Sequence, residues 1–154
     1  MSSEESIILG MLAVFGAFIF LFFIVGIILY VLNAIGLFGI AKKSEKSDLA
    51  FLAWIPIANV FLVALLVEDD VHEEIRGKFT LIFAITFVVS IVFSWFFTPF
   101  SFLYIIAYLY AFYFIAKKYS KNYVAHTIIG AVTFGASTAI SFFRFRNREP
   151  IAYQ

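Results

Sequence analysis

The densest set of ionisable side chains in the sequence is Glu68-Asp69-Asp70-Val71-His72-Glu73-Glu74. Asp69, Asp70, His72 and Glu73 are the residue types that gather a divalent cation, because carboxylate oxygens and imidazole nitrogens ligate such ions. The spacing does not support it. A calcium loop sets its ligands at alternate positions with a glycine turn between them. The zinc-binding H-E-x-x-H helix needs a second histidine where this chain has Arg76. A solvated acidic loop is the plainer reading, and no metal or other cofactor is expected.

His126 is the one ionisable side chain, tyrosines aside, set within a long apolar block near its start. A proton relay would require further Asp, Glu or His deeper in that block, and none is present, so an interfacial histidine is expected. Pro56 and Asn59 stand inside another apolar block. Proline removes a helix hydrogen bond and should leave the Leu52 carbonyl without its partner. Asn59 could then bond a backbone carbonyl or a neighbouring helix, which gives either a kink lining a polar site or a kink with a packing amide. The same two readings apply to Asn33. No strained nucleophile elbow, Ser-x-x-Lys pair, paired carboxylates or phosphate loop is present, so an enzyme is not expected.

These groups are positioned by an unusual charge distribution. All charged residues fall at 4–5, 42–48, 68–78, 117–121 and 144–149, and everything between is uncharged and rich in Phe, Ile, Leu, Val, Ala and Tyr. Hydrophobic residues make up 64% of the 154-residue chain and charged residues 14%, against about 25% charged in soluble domains. This predicts one all-α integral membrane domain. A net charge of +1 gives no field to attract nucleic acid, and zero cysteines exclude disulfides and thiolate metal sites. The start is acidic where a signal peptide is basic, so the first apolar block is expected to be retained.

Crossing roughly 30 Å of hydrocarbon takes about 20 helical residues. Residues 49–67 and 124–143 each fit one span. Residues 7–41 suggest a tilted span over 7–32 followed by a bent extension. Residues 79–116 are too long for one helix, and Thr98-Pro99 at their centre predicts a hairpin of 79–97 and 100–116. The expectation is a compact bundle of five spans, with four long kinked ones as the alternative. Lys and Arg near span ends set orientation. Lys42, Lys43 and Lys46 mark a cytoplasmic connection, but either count leaves six basic residues inside and five outside.

Ile40-Ala41-Lys42-Lys43 recurs as Ile115-Ala116-Lys117-Lys118, with a third lysine at matching distance, Lys46 and Lys121. A two-fold internal repeat follows, inverted with three spans between the copies and parallel with two. Together with Trp54, Ile55-Pro56 and Asn59, the first copy resembles small bacterial integral membrane proteins of unknown function. These share a basic Ala-Lys-Lys turn followed by a Trp/Ile-Pro/Asn transmembrane helix. The resemblance implies a bacterial cytoplasmic membrane and no activity.

Two contact surfaces are expected. Lys42, Lys43, Lys46, Lys117, Lys118, Lys121, Arg144, Arg146 and Arg148 act as topology signals and could also hold anionic lipid headgroups. Ala131, Gly135 and Ala139 recur every four residues, with Ser137 and Ser141 beside them, a spacing that lets a neighbouring helix approach closely. Besides the lipid bilayer, the expected partner is another membrane protein or a second copy. The expected function is a non-catalytic subunit, accessory or immunity partner; the alternative is a small transporter or channel.

Overall fold

The computed structural model describes residues 3–151, which are helical throughout apart from turns. Helix α1, Ser3–Lys42, runs unbroken for 40 residues, about 60 Å. No proline interrupts it. Glu4 and Glu5 in its first turn and Lys42 in its last complement the helix dipole. The bend expected after residue 32 does not occur: Asn33 to Gly39 continue the helix, and Ala34, Gly36, Leu37, Ile40 and Ala41 form its only buried stripe. Residues 3–28 are exposed, with Ile, Leu and Phe on every side of the helix.

Two stretches expected as single spans instead turn back on themselves. Residues 49–67 divide into a 3-10 helix, Ser47–Trp54, and helix α2, Ala58–Val67. The break lies at Ile55-Pro56-Ile57, where Ile57 adopts φ 70°. The Leu52 carbonyl is not orphaned there, because the Ile55 N–H donates to it at 3.1 Å. Tyr30 of α1 donates to the Trp54 carbonyl at 2.6 Å and holds this tip part-way down α1.

Residues 124–143 likewise divide into α5, Tyr123–Val132, and α6, Thr138–Phe145. Phe134 and Gly135 carry φ 50° and 88°. The Gly135 N–H reaches back to the Gly130 carbonyl at 2.7 Å and the Phe134 N–H to Ala131 at 3.1 Å, the bond pair of a Schellman helix end. The returning limb brings Ser141 beside His126.

The break expected at Thr98-Pro99 is present. Helix α3, Phe79–Ser94, ends ahead of a short 3-10 turn, Thr98–Phe102, and α4, Leu103–Tyr119, returns along it. Pairing of Phe93 with Phe100, Phe87 with Tyr104 and Phe79 with Tyr110 makes the two helices antiparallel. Ser90 accepts the Tyr104 N–H at 3.1 Å and so ties α3 to the first turn of α4.

Among the described residues, α1 and the stretch Thr98–Tyr119 are long and apolar enough to cross a membrane. At about 1.5 Å per residue, α2 and α5 reach about 15 Å each and fall short of the hydrocarbon thickness.

The two Ile-Ala-Lys-Lys copies both fall at the C-terminal end of a helix, α1 and α4. Each copy is a long helix ending in Ile-Ala-Lys-Lys, followed by a two-limbed hairpin. Ile40, Ala41, Ile115 and Ala116 are all buried in the common core. Beyond each lysine pair a serine hydroxyl accepts a backbone N–H two residues on, Ser44 from Lys46 and Ser120 from Asn122. The packing is exchanged: α1 lies on the Ser47–Trp54 limb and on α6, whereas α4 lies on α5 and on α2. Each long helix thus touches the first limb of its own hairpin and the second limb of the other. Both helices end at the same side of the fold, where Lys43, Lys46 and Lys118 border one cleft.

Candidate functional site: a charged face and its pocket

Four of the five charged zones converge at one end of the molecule. Lys43 pairs with Glu149 at 2.9 Å and Lys118 with Asp70 at 3.0 Å. Arg148 donates to the Tyr119 carbonyl at 3.2 Å, and the Ile151 N–H to the Lys118 carbonyl at 2.8 Å. Only Glu4 and Glu5 lie at the far end of α1. The opposite tip of the body is uncharged and exposes Trp95, Phe96 and Phe97.

Within the basic set the roles differ. Lys43 and Lys118 are engaged by carboxylates. Arg146 lies over the Phe143 ring at 3.7 Å, and Lys42 stands 5.6 Å from the Phe38 ring. Lys46 borders a cleft between the two Ala-Lys-Lys ends together with Lys118 and Asp70. Lys117 sits in the last turn of α4. Lys121, Arg144 and Arg148 face a second, larger pocket of about 560 Å³ between α5, α6 and the segment that follows α6.

His126 lines that pocket, and its Nδ1 lies 3.1 Å from Ser141 Oγ. Burial of the ring, and after it the charges of Arg144 and Arg148, hold the imidazole below its ordinary histidine value. The acidic segment does not close around a cation. Glu68 accepts hydrogen bonds from Thr80, Asp70 binds Lys118, and His72 packs edge-on to Phe114. Among the described residues no three His, Asp or Glu side chains come together as a metal-binding group.

The small-residue face on the last apolar block is not formed. Ala131 is exposed on α5, Gly135 forms the turn, and Ala139 and Ser141 are buried on α6. Ser137 accepts a hydrogen bond from Thr133 at 3.0 Å within that turn. The hairpin break at 133–137 is the physical reason, since a four-residue spacing shares a face only while the helix is continuous.

Close backbone approach occurs elsewhere. A Cβ on Gly36 would lie 2.5 Å from the Phe142 backbone, and one on Gly39 would lie 2.8 Å from Arg146 Cβ. These two α1 glycines, spaced by three, receive α6. Their signal in the sequence is the pair of glycines within residues 33–39, the stretch expected to bend.

Pro56 caps the exposed tip of the first hairpin and Asn59 is buried at the start of α2. Asn33 lines a different cavity of about 270 Å³ with Tyr30, Tyr104 and Tyr108, so the two asparagines do not form one site. Comparison with family models, curated proteins and solved structures finds no match.

Proposed function

We propose that this chain is a non-catalytic integral membrane protein that acts by lateral packing against another membrane protein. The observation that carries the reading is the free-standing half of α1. From Ile7 to Ile28 its large apolar side chains are exposed. Leaving them in water would cost on the order of tens of kcal/mol, at about 1.5–3 kcal/mol for each large side chain. A helix apolar on every side belongs in lipid. The convergence of the charged zones supports a single cytoplasmic face in a bacterial membrane, because Lys and Arg favour that side.

The same half-helix is the surface offered to a partner. Gly10, Ala13 and Ala17 fall on one side at helical spacing, and nothing lies within 4 Å of a Cβ built on Gly10. In lipid, where helices associate by close packing, small residues in such register admit a neighbouring backbone. A photo-crosslinking amino acid at Ala13 or Ala17 tests the reading in native membranes. Crosslinks to a second membrane protein are expected there and not from Lys42. Recovery of uncrosslinked monomer alone would remove it.

The cavity beside Asn33, Tyr104 and Tyr108 favours a second reading as a small transporter, since its polar groups lie among apolar helices. Proteoliposomes that hold gradients of ions and small solutes equally well with and without the protein would exclude that role.

A further inference from the structure

All eleven basic residues share one face, and three of them, Lys121, Arg144 and Arg148, line a single pocket. Lys43 and Lys118 are matched by carboxylates, and Arg146 by an aromatic ring. Lys121 and Arg144 make no ion pair among the described residues, and Arg148 donates to the Tyr119 carbonyl and stands 5.7 Å from the Phe145 ring without a carboxylate partner among the described residues. These three cations come from two segments, the turn before α5 and the end of α6, and they line the same pocket of about 560 Å³. Its one acid, Glu149, is matched by Lys43 from outside. The pocket therefore holds an unbalanced charge of about three positive units that folding has drawn together against their mutual repulsion.

The donor chemistry selects phosphate. Guanidinium presents a planar fork of N–H groups that matches phosphate oxygens pairwise, and lysine adds a point charge. Asn122 and Ser120 line the same wall with neutral polar groups suited to a glycerol or sugar hydroxyl. The α5 side of the pocket is different. Ala125 and Ile129 give the pocket an apolar border, and Ile128, Ile129 and Val132 continue down α5 as exposed side chains. Positive charge above an aliphatic stripe is the complement of an anionic amphiphile.

We propose that Lys121, Arg144 and Arg148 form a specific site for the phosphate headgroup of an anionic phospholipid, with its acyl chains lying along α5. This rests on the membrane reading above, and it goes beyond a general attraction of basic residues to a charged surface. It predicts discrimination among residues of equal charge: the pocket cations matter, and Lys42 and Lys46 do not.

The full chain, purified in an uncharged maltoside detergent, is titrated with dihexanoyl phosphatidylglycerol and bound lipid is counted by native mass spectrometry. One tight site is expected, with dihexanoyl phosphatidylcholine at least ten-fold weaker. The exposed pair K121Q/R144Q should weaken phosphatidylglycerol at least ten-fold, and K42Q/K46Q should change it less than two-fold. R148Q serves as a third variant only if its thermal unfolding matches the parent. Equal losses in both double variants would overturn the site in favour of diffuse attraction. Competition by glycerol 3-phosphate as tight as the lipid itself would overturn the lipid assignment in favour of a soluble phosphate. Recovery of the chain from cells without detergent would instead sink the membrane reading, an outcome separable from all of these.

Discussion

Gly36 and Phe142 meet backbone to backbone, and a Cβ added at Gly36 would lie 2.5 Å from the Phe142 carbonyl carbon. Carbon atoms require about 3.5–4 Å, so α1 and α6 would have to separate by about 1 Å. Phe142, fully buried against Phe112 at a 5.3 Å centroid distance, would move with them. Gly36→Ala should therefore destabilise the fold by about 1–3 kcal/mol, the usual range for overpacking. Gly16→Ala is the control: nothing lies within 4 Å of its Cβ, and a mid-helix glycine replaced by alanine gains up to about 1 kcal/mol. Thermal unfolding in detergent should move in opposite directions for the two variants. Equal melting temperatures would show that the α1–α6 contact is not formed as described.

The exchanged packing of the two repeats makes a sharp statement about sidedness. Reporter fusions after Lys46, Gly77, Lys121 and Arg148 should all report the cytoplasmic side, because all eleven Lys and Arg residues fall in the zones on that face. Under five alternating spans, the positions after Lys46 and Lys121 would lie on opposite sides. Opposite signals at those two positions would exclude the parallel arrangement.

The reasons for what the sequence did and did not disclose are physical. Thr98-Pro99 was legible because proline acts on the residue before it, and the hairpin of α3 and α4 turns there. Ile-Ala-Lys-Lys stands out in the sequence because in both places it marks the passage from buried core to charged face. The tips at Ile55-Pro56-Ile57 and Phe134-Gly135 were not, since a turn without charge has the same composition as the middle of a span. Neither Ile57 nor Phe134 favours positive φ, so tertiary packing, through contacts such as Tyr30 to Trp54, overrides local preference. The basic residues do not read as one face in the sequence because five alternating spans put 68–78 and 117–121 on the side opposite 42–48 and 144–149.

His126 reports on the pocket through its titration. Burial first, and Arg144 and Arg148 second, disfavour the imidazolium, so the folded midpoint should lie below the ordinary value of about 6.5. The sign then follows: the neutral ring is preferred in the fold, and stability falls as pH drops through the unfolded midpoint, where the unfolded chain takes up a proton more readily. Histidine NMR in detergent should show the depressed midpoint. Arg144→Gln should move it upward by removing a like charge, and the corresponding change at Lys42, which does not line the pocket, should leave it in place. A midpoint at or above the free value would contradict the enclosure of the ring.

Gly135 separates conformational strain from crowding. Its φ of 88° is one that L side chains rarely adopt, yet a Cβ there would meet Tyr108 only at 3.6 Å, an ordinary contact. The cost of substitution is therefore set by the backbone, at about 1–2 kcal/mol for a residue forced into the left-handed region. Asparagine tolerates that region better than alanine, because its short polar side chain bonds locally. Gly135→Asn should thus unfold at a higher temperature than Gly135→Ala despite its larger size, and Gly135→Val should be the least stable because its branched Cβ is stiffest. An order that followed side-chain volume alone would mean that space rather than backbone geometry governs the tip. The Schellman-type end of α5, and with it the return of α6 toward His126, would then need another cause.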